Sequence, residues 1–264
     1  GVSPSTIKME FDGLTSLNFT GGNVNIGSYQ STYRFNKPVA YQIDNSNIDY
    51  NFIRVTIFFK SQKNNPVLKI AAWSPVRYTL QNFAANIRDW SATNHLGNVL
   101  AVSKTAKNNW SIEAEAGTRI AFTYLYYCRQ MDAGGCWSDS NVFYINTIAC
   151  LMAVDGQEDD TSTLKLNLPA DFKIGTGMPQ KDGIYHVDSF IALTDYPILA
   201  SPTLTTRSYE VDSIPFYIHS TVDASHFPET IIEDFKRFTA DQLKDFNNFP
   251  ESAYHFQLLI LPYK

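Results

Sequence analysis

Between Val39 and Ser201, short apolar runs return at the roughly 8–12-residue spacing of a β-sandwich, with Gly, Asn, Asp or Pro between them. Val39-Ala-Tyr-Gln-Ile43 alternates, and Phe52–Phe59 is β-branched and aromatic. Val67–Trp73, Asn98–Val102, Asn109–Glu113, Thr118–Tyr127, Val142–Ile145, Ile148–Val154, Leu164–Leu168 and Phe172–Ile174 continue the series. Such short runs suit a pleated, half-buried surface, and no helical period of useful length competes with them. A chain punctuated this way buries its apolar faces by laying sheet on sheet. The expectation is a mainly β protein built on an antiparallel β-sandwich.

The segment Trp73–Trp90 interrupts the series. Pro75 has no N–H for a sheet ladder, so the preceding strand stops there. Tyr78, Phe83, Ile87 and Trp90 follow as large apolar anchors, in a pattern too irregular for one strand or one helix. The main reading is a packed crossover between two sheets, with one short turn inside Gln81–Ile87. The other reading makes it one wall of a binding cleft.

Residues 1–35 are rich in Gly, Ser, Asn and Thr and read as an N-terminal extension with one or two edge strands. The sandwich occupies 36–202, closing on Phe190–Pro202, which reads as a connection because its two prolines stop regular structure. From 203 to 264 the pattern changes. Ser208–Val211 and Pro215–His219 read as a hairpin around Asp212-Ser213. Pro228–Phe246 reads as an amphipathic helix whose apolar face holds Ile231, Ile232, Phe235, Phe238, Leu243 and Phe246. Tyr254–Leu261 reads as a buried strand. This small α+β segment has too little core to stand alone, so it is expected to pack on the sandwich or on another domain.

A net charge of −5 and no Lys/Arg cluster argue against nucleic acid or an anionic membrane as partner. No apolar run approaches the roughly 18 residues of a membrane-spanning helix. Charged residues are only 18% of the chain, and polar neutral residues fill the gap, which leans towards a periplasmic or extracellular location. Cys128 and Cys136 bracket a turn-rich loop and are expected to pair, leaving Cys150 as a buried thiol; three free thiols is the alternative.

Chemistry is sparse. The five histidines, at 95, 186, 219, 226 and 255, are scattered, and there is no His-Glu-x-x-His and no Gly-x-Ser-x-Gly elbow. No metal ligand set and no catalytic residue is assigned. Asp155-Gly-Gln-Glu-Asp-Asp160 invites a calcium reading but lacks a known loop spacing, so a solvated turn is preferred. The most site-like loop is Asp132–Asn141. It offers Trp137, Asp139 and Asn141 as substrate-binding candidates, against the plainer reading of a surface loop with Trp137 folded back.

The residues Trp73-Ser-Pro75, Tyr78, Phe83-Ala84 and Ile87 resemble the Trp-x-Pro-Gly-x-Tyr-x-x-x-Asp-Phe pattern of the glycyl aminopeptidases, peptidase family 61 among the gluzincin metallopeptidases. Further matches follow in order: Lys104-Thr-Ala-Lys-Asn-Asn-Trp110, Tyr124–Tyr127, Val154-Asp-Gly156, Pro169-Ala-Asp-Phe172, Tyr196-Pro-Ile198 and Tyr209-Glu-Val-Asp-Ser-Ile-Pro215. The resemblance implies a β-sandwich followed by a thermolysin-like zinc domain that removes N-terminal glycine or alanine from peptides. In the family, zinc is held by His-Glu-x-x-His and a downstream Glu, and a metal-bound water attacks the peptide carbonyl. That motif is not in these 264 residues. The chain is therefore read as the non-catalytic N-terminal part of such an enzyme, truncated before its zinc motif. Residues 203–264 would be the first elements of its catalytic domain, and zinc and peptide would be held by the longer protein. The apolar surface left uncovered would favour a homodimer. Val76 and Asn82 depart from the family pattern, which puts a specificity carried over from the family in doubt there. The alternatives are a stand-alone sandwich module binding a glycan or peptide, and a degenerate peptidase acting as a scaffold.

Overall fold

The computed structural model describes residues 17–20, 23–26, 38–45, 51–74, 79–222, 227–245, 249 and 251–259. Most of the N-terminal extension lies outside them, as do Pro75, Val76, Tyr78, His226, Phe246 and the expected helix stop at Asn247-Asn248. Within the extension, strands β1 (Leu17–Thr20) and β2 (Asn23–Ile26) pair as a two-stranded sheet.

The largest sheet is centred on β3 (Pro38–Asp44), β4 (Phe52–Lys60) and β10 (Arg119–Tyr127). Next to β10 come β6 (Ile87–Asn94) and β7 (Val99–Leu100). On the other side lie β14 (Thr161–Asn167), β17 (Ile184–Val187) and β16 (Gln180–Lys181). Neighbours are antiparallel except β3 and β14, which run parallel, so the sheet is mixed. The alternation seen in Val39–Ile43 puts Val39, Tyr41 and Ile43 in the core, beside Ile53, Val55 and Ile57 of β4 and Phe122, Tyr124 and Tyr126 of β10.

Two four-stranded sheets complete the first unit. One has the order β13 (Met152–Val154), β5 (Val67–Ile70), β9 (Asn109–Ile112), β8 (Val102–Ala106). The other has the order β11 (Cys136–Ser138), β12 (Phe143–Ile145), β18 (Ile198–Ser201), β15 (Lys173–Gly175). The run Ile148–Val154 is not one strand. Thr147–Cys150 forms a short helix α1, and β13 follows it. Buried tyrosines of the large sheet tie this segment down: Tyr41 donates its hydroxyl to the Met152 carbonyl at 3.0 Å, and Tyr124 donates to the Cys150 carbonyl at 2.5 Å. Burial holds both phenols well above their usual range, so they remain neutral donors.

The stretch Trp73–Trp90 does cross between two sheets, from β5 of a four-stranded sheet to β6 of the eight-stranded one, but its second half is more regular than the sequence pattern suggests. Phe83–Asn86 is a 3-10 turn, as Gln81–Ile87 allowed, but the chain then enters the full-length strand β6. Phe83 and Ile87 are buried, whereas Trp73 is 49% exposed and Trp90 36%. Trp90 stands on a bulge. Ser91 pairs with Thr123 and Arg88 with Leu125, so two β6 residues, Asp89 and Trp90, share one position of β10. Asp89 sits at φ 51°, and Trp90 meets Trp110 edge-on at 5.8 Å with the Lys104 ammonium over both rings. Phe190–Pro202 is also more regular than expected: it holds helix α2 (Phe190–Thr194), capped by Ser189, and strand β18.

Residues 205–258 form a β-hairpin, a helix and a strand, as the pattern there predicts. Strands β19 (Thr205–Val211) and β20 (Ile214–Ser220) meet at Asp212-Ser213, both left-handed, the geometry of a tight hairpin turn. Helix α3 (Glu229–Leu243) then crosses over to β21 (Tyr254–Leu258), parallel to β20. Period-two alternation gives this three-stranded sheet two unlike faces. Tyr209, Phe216, Ile218 and Phe256 pack beneath α3, with Phe256 against Phe235 and Phe238. The other face carries Thr206, Tyr217, His219, His255 and Gln257 and lies on the first unit.

Candidate functional site

The loop proposed for substrate contact is engaged with itself. Trp137 is only 8% exposed and packs with Tyr144, Leu199 and Leu204. Its indole N–H donates to Asp139 Oδ2 at 2.7 Å. Asp139 Oδ1 accepts the backbone N–H groups of Asn141 and Val142, both at 2.8 Å, which makes the carboxylate the knot of a turn. Arg129 lies 5.2 Å over the Trp137 ring and donates to Asn51, whose own amide reaches the Ser138 carbonyl. The structure therefore brings Trp137 and Asp139 together, with Asn141 contributing its backbone N–H to the turn. Both carboxylate oxygens already hold protein donors.

The acidic run Asp155–Asp160 is likewise spoken for. Asp155 bridges Lys63 and Lys69, whose hydrogen bonds hold its carboxyl below the usual range. Glu158 accepts the Gly156 N–H, and Asp160 accepts from Gln62 and Gln157. A shallow cavity of about 350 Å³ lies elsewhere, lined by Asn64, Asn65, Glu113, Ala114 and Glu115.

All three cysteines are free, so the expected Cys128–Cys136 bridge is not formed. Register explains it. The Arg129–Trp137 bridge sets Cys128 opposite Ser138 and Cys136 opposite Gln130. The two cysteines stand diagonal to one another rather than directly opposite, and their thiols lie within hydrogen-bonding range of each other without a covalent bridge. Each thiol instead donates to a carbonyl: Cys128 to Tyr126, Cys136 to Asn146 and Cys150 to Thr147. Burial pushes the Cys128 and Cys150 thiols well up, which makes them inert.

The feature that sequence reasoning missed lies where the C-terminal sheet meets the first unit. His219 Nε2 and His255 Nδ1 are 2.9 Å apart, and His219 Nδ1 is 3.0 Å from the Thr206 hydroxyl. Tyr217 stacks on His255 with ring centroids 4.7 Å apart. The pair rests on bare backbone: a Cβ at Gly175 would stand 2.6 Å from the His219 ring, and one at Gly177 2.8 Å from His255. Beside it, Gln257 donates to the carbonyls of Gly175 and Pro197. Burial, with the neighbouring His255 adding to it, lowers His219 to about 4, and burial lowers His255 as well. Thr206, His219 and His255 follow the order of nucleophile, base and orienting group. A base held so far below neutrality is a poor proton acceptor, however, so the arrangement reads as structural. The two histidines lie 36 residues apart in sequence, and only the parallel register of β20 and β21 joins them.

Zinc does not fit this donor set. Among the described residues no group of three or more His, Cys, Asp or Glu side chains is arranged to hold a metal ion, and His219 and His255 use their facing nitrogens on each other. No described helix is long and apolar enough to cross a membrane.

Comparison with known proteins agrees with this fold. An aminopeptidase N family protein from Idiomarina loihiensis is similar in structure, with a TM-score of 0.75 and 24% identity over 82% of this chain and 38% of that one. An M1 zinc metallopeptidase from Deinococcus radiodurans aligns with a TM-score of 0.49 and 13% identity, over 86% of this chain and 57% of that one. The chain thus spans less than two thirds of either structure, and at these identities the first likeness speaks for the fold alone. No curated protein sequence matches the chain significantly. The sequence profile of the peptidase M61 N-terminal domain matches residues 40–202, from β3 to just past β18. The chain therefore belongs to the peptidase M61 N-terminal domain family.

Proposed function

We propose that this chain is the non-catalytic N-terminal part of a zinc-dependent aminopeptidase acting on peptides with N-terminal glycine or alanine. The family match over residues 40–202 carries the reading. In it, the sandwich is a rigid support, and residues 203–264 begin the catalytic domain, docked on that support through the His219–His255 face. In this reading zinc and the peptide would be held by residues outside this chain. The low charged fraction supports a periplasmic or extracellular location for that enzyme.

The test has two arms. Reading the coding sequence beyond Lys264 should reveal a His-Glu-x-x-His within roughly one domain length, about a hundred residues. The 264-residue chain, supplied with zinc, should not hydrolyse glycyl- or alanyl-nitroanilide, whereas the protein carrying that motif should. Metal-dependent turnover by the chain alone would sink the non-catalytic assignment.

A further inference from the structure

The His219–His255 pair occupies the seam between the first unit and the C-terminal sheet, and the seam has little else that is polar to hold it. On one side are the backbones of Gly175 and Gly177 and the carbonyl of Pro197. On the other are the two rings, Tyr217 and Gln257. Leu259 extends the contact into the cluster of Trp137, Tyr144, Leu199 and Leu204. A 2.9 Å contact between imidazole nitrogens needs one proton between them: one nitrogen donates and the other accepts. A single added proton is tolerated, since an imidazolium on His219 can donate to both His255 and Thr206. A second is not, because both facing nitrogens would then carry hydrogens and both rings a charge.

We propose that the His219–His255 pair is an acid-operated latch, closed while the rings share a proton and opened, at the seam of β15 with β20 and β21, when both rings are protonated. Among the described residues no carboxylate shifts either ring. Thr206 of β19 and Tyr217 of β20 face the pair, and β15 and the residues after it present the backbones of Gly175 and Gly177 to it. Lys173 on β15, Arg207 and Glu210 on β19, Asp195 after α2 and Glu251 before β21 are the charged positions on the packed elements. None of them shifts either ring, which respond to burial and, for His219, to its partner. Arg207 faces away, towards Glu229 of α3. Rings seated against glycine have no side chain to flex around them, so a charged pair can separate only by lifting the sheet.

The test is hydrogen exchange by mass spectrometry on the whole chain between pH 7 and pH 3.5, corrected for intrinsic rates, with histidine NMR titration alongside; retained protection of β20 and β21 down to pH 3.5 would also overturn the latch. On acidification, protection should fall first in β15, β20 and β21 while β4 and β10 stay protected. The ring signals of His219 and His255 should titrate with that opening. His255→Phe keeps an aromatic ring on Tyr217 and removes the second charge. It should shift the opening midpoint down by about one pH unit or more, or abolish the opening. If that variant does not fold, the wild-type titration decides alone. Independent titration of both rings near the ordinary histidine value, or simultaneous loss of protection in β10 and β21, would overturn the latch.

Discussion

Tyr124 shows how a single polar atom organises the first unit. Its side chain is fully buried on β10, and its hydroxyl reaches the Cys150 carbonyl just before β13 begins. Tyr124→Phe keeps the ring but strands that carbonyl in an apolar core, so unfolding free energy should drop by about 1–2 kcal/mol in urea titration. Asp139 tests the opposite question, whether the Asp132–Asn141 loop is a binding site or a structural turn. Asp139→Ala removes the acceptor for the Trp137 indole and for two backbone N–H groups. The expected loss is about 1–2 kcal/mol of stability with a red shift of Trp137 emission. An Asp139→Ala protein with unchanged stability and emission would restore Asp139 as a free contact residue.

At the scale of elements, the C-terminal sheet depends on one helix. Phe256 of β21 meets Phe235 and Phe238 of α3 and stacks near Phe216. Phe256→Ala opens that interface; as the site is half-buried, the cost should be about 2 kcal/mol, below the range for a fully buried phenylalanine. Exchange protection should fall in α3 and β19–β21 and leave β4 and β10 unchanged. Much of this layout is legible in sequence, because Phe52–Phe59 and Thr118–Tyr127 are rich in β-branched and aromatic residues and Ile231–Leu243 has a helical period. Other elements are hidden for physical reasons. In β6 the bulge at Asp89 breaks the alternation, so Ile87–Asn94 shows no period-two face. Strand β18 sits between prolines that read as a loop, and α1 hides in an apolar run because both of its ends are buried. The histidine latch is invisible because it needs a parallel pairing across the helix α3, which no local pattern encodes.

For the whole molecule, the two units have unequal cores, and that governs how they respond to acid. The first unit buries an extended cluster running from Val39 to Ala200, whereas among the described residues the buried apolar cluster of the second consists of Tyr209, Val211, Phe216, Ile218 and Phe227. The second unit should therefore be the first to open. His219, at about 4 when folded, is depressed from an unfolded value near 6.5, and His255 is depressed as well. The unfolded chain thus binds more protons below neutrality. The stability these rings confer is complete above pH 6.5 and is lost as pH falls from there towards 4. Asp155, held low by Lys63 and Lys69, is depressed in the same sense but loses its contribution only below the ordinary aspartate range, through its lowered folded value. Thermal melts across pH should consequently show the C-terminal transition falling between pH 6.5 and 4 while the sandwich transition holds. The sandwich should weaken only at more acid pH. His219→Gln should flatten the first slope and leave the second in place, and a melting temperature independent of pH between 7 and 4.5 in the unmodified chain would refute the linkage.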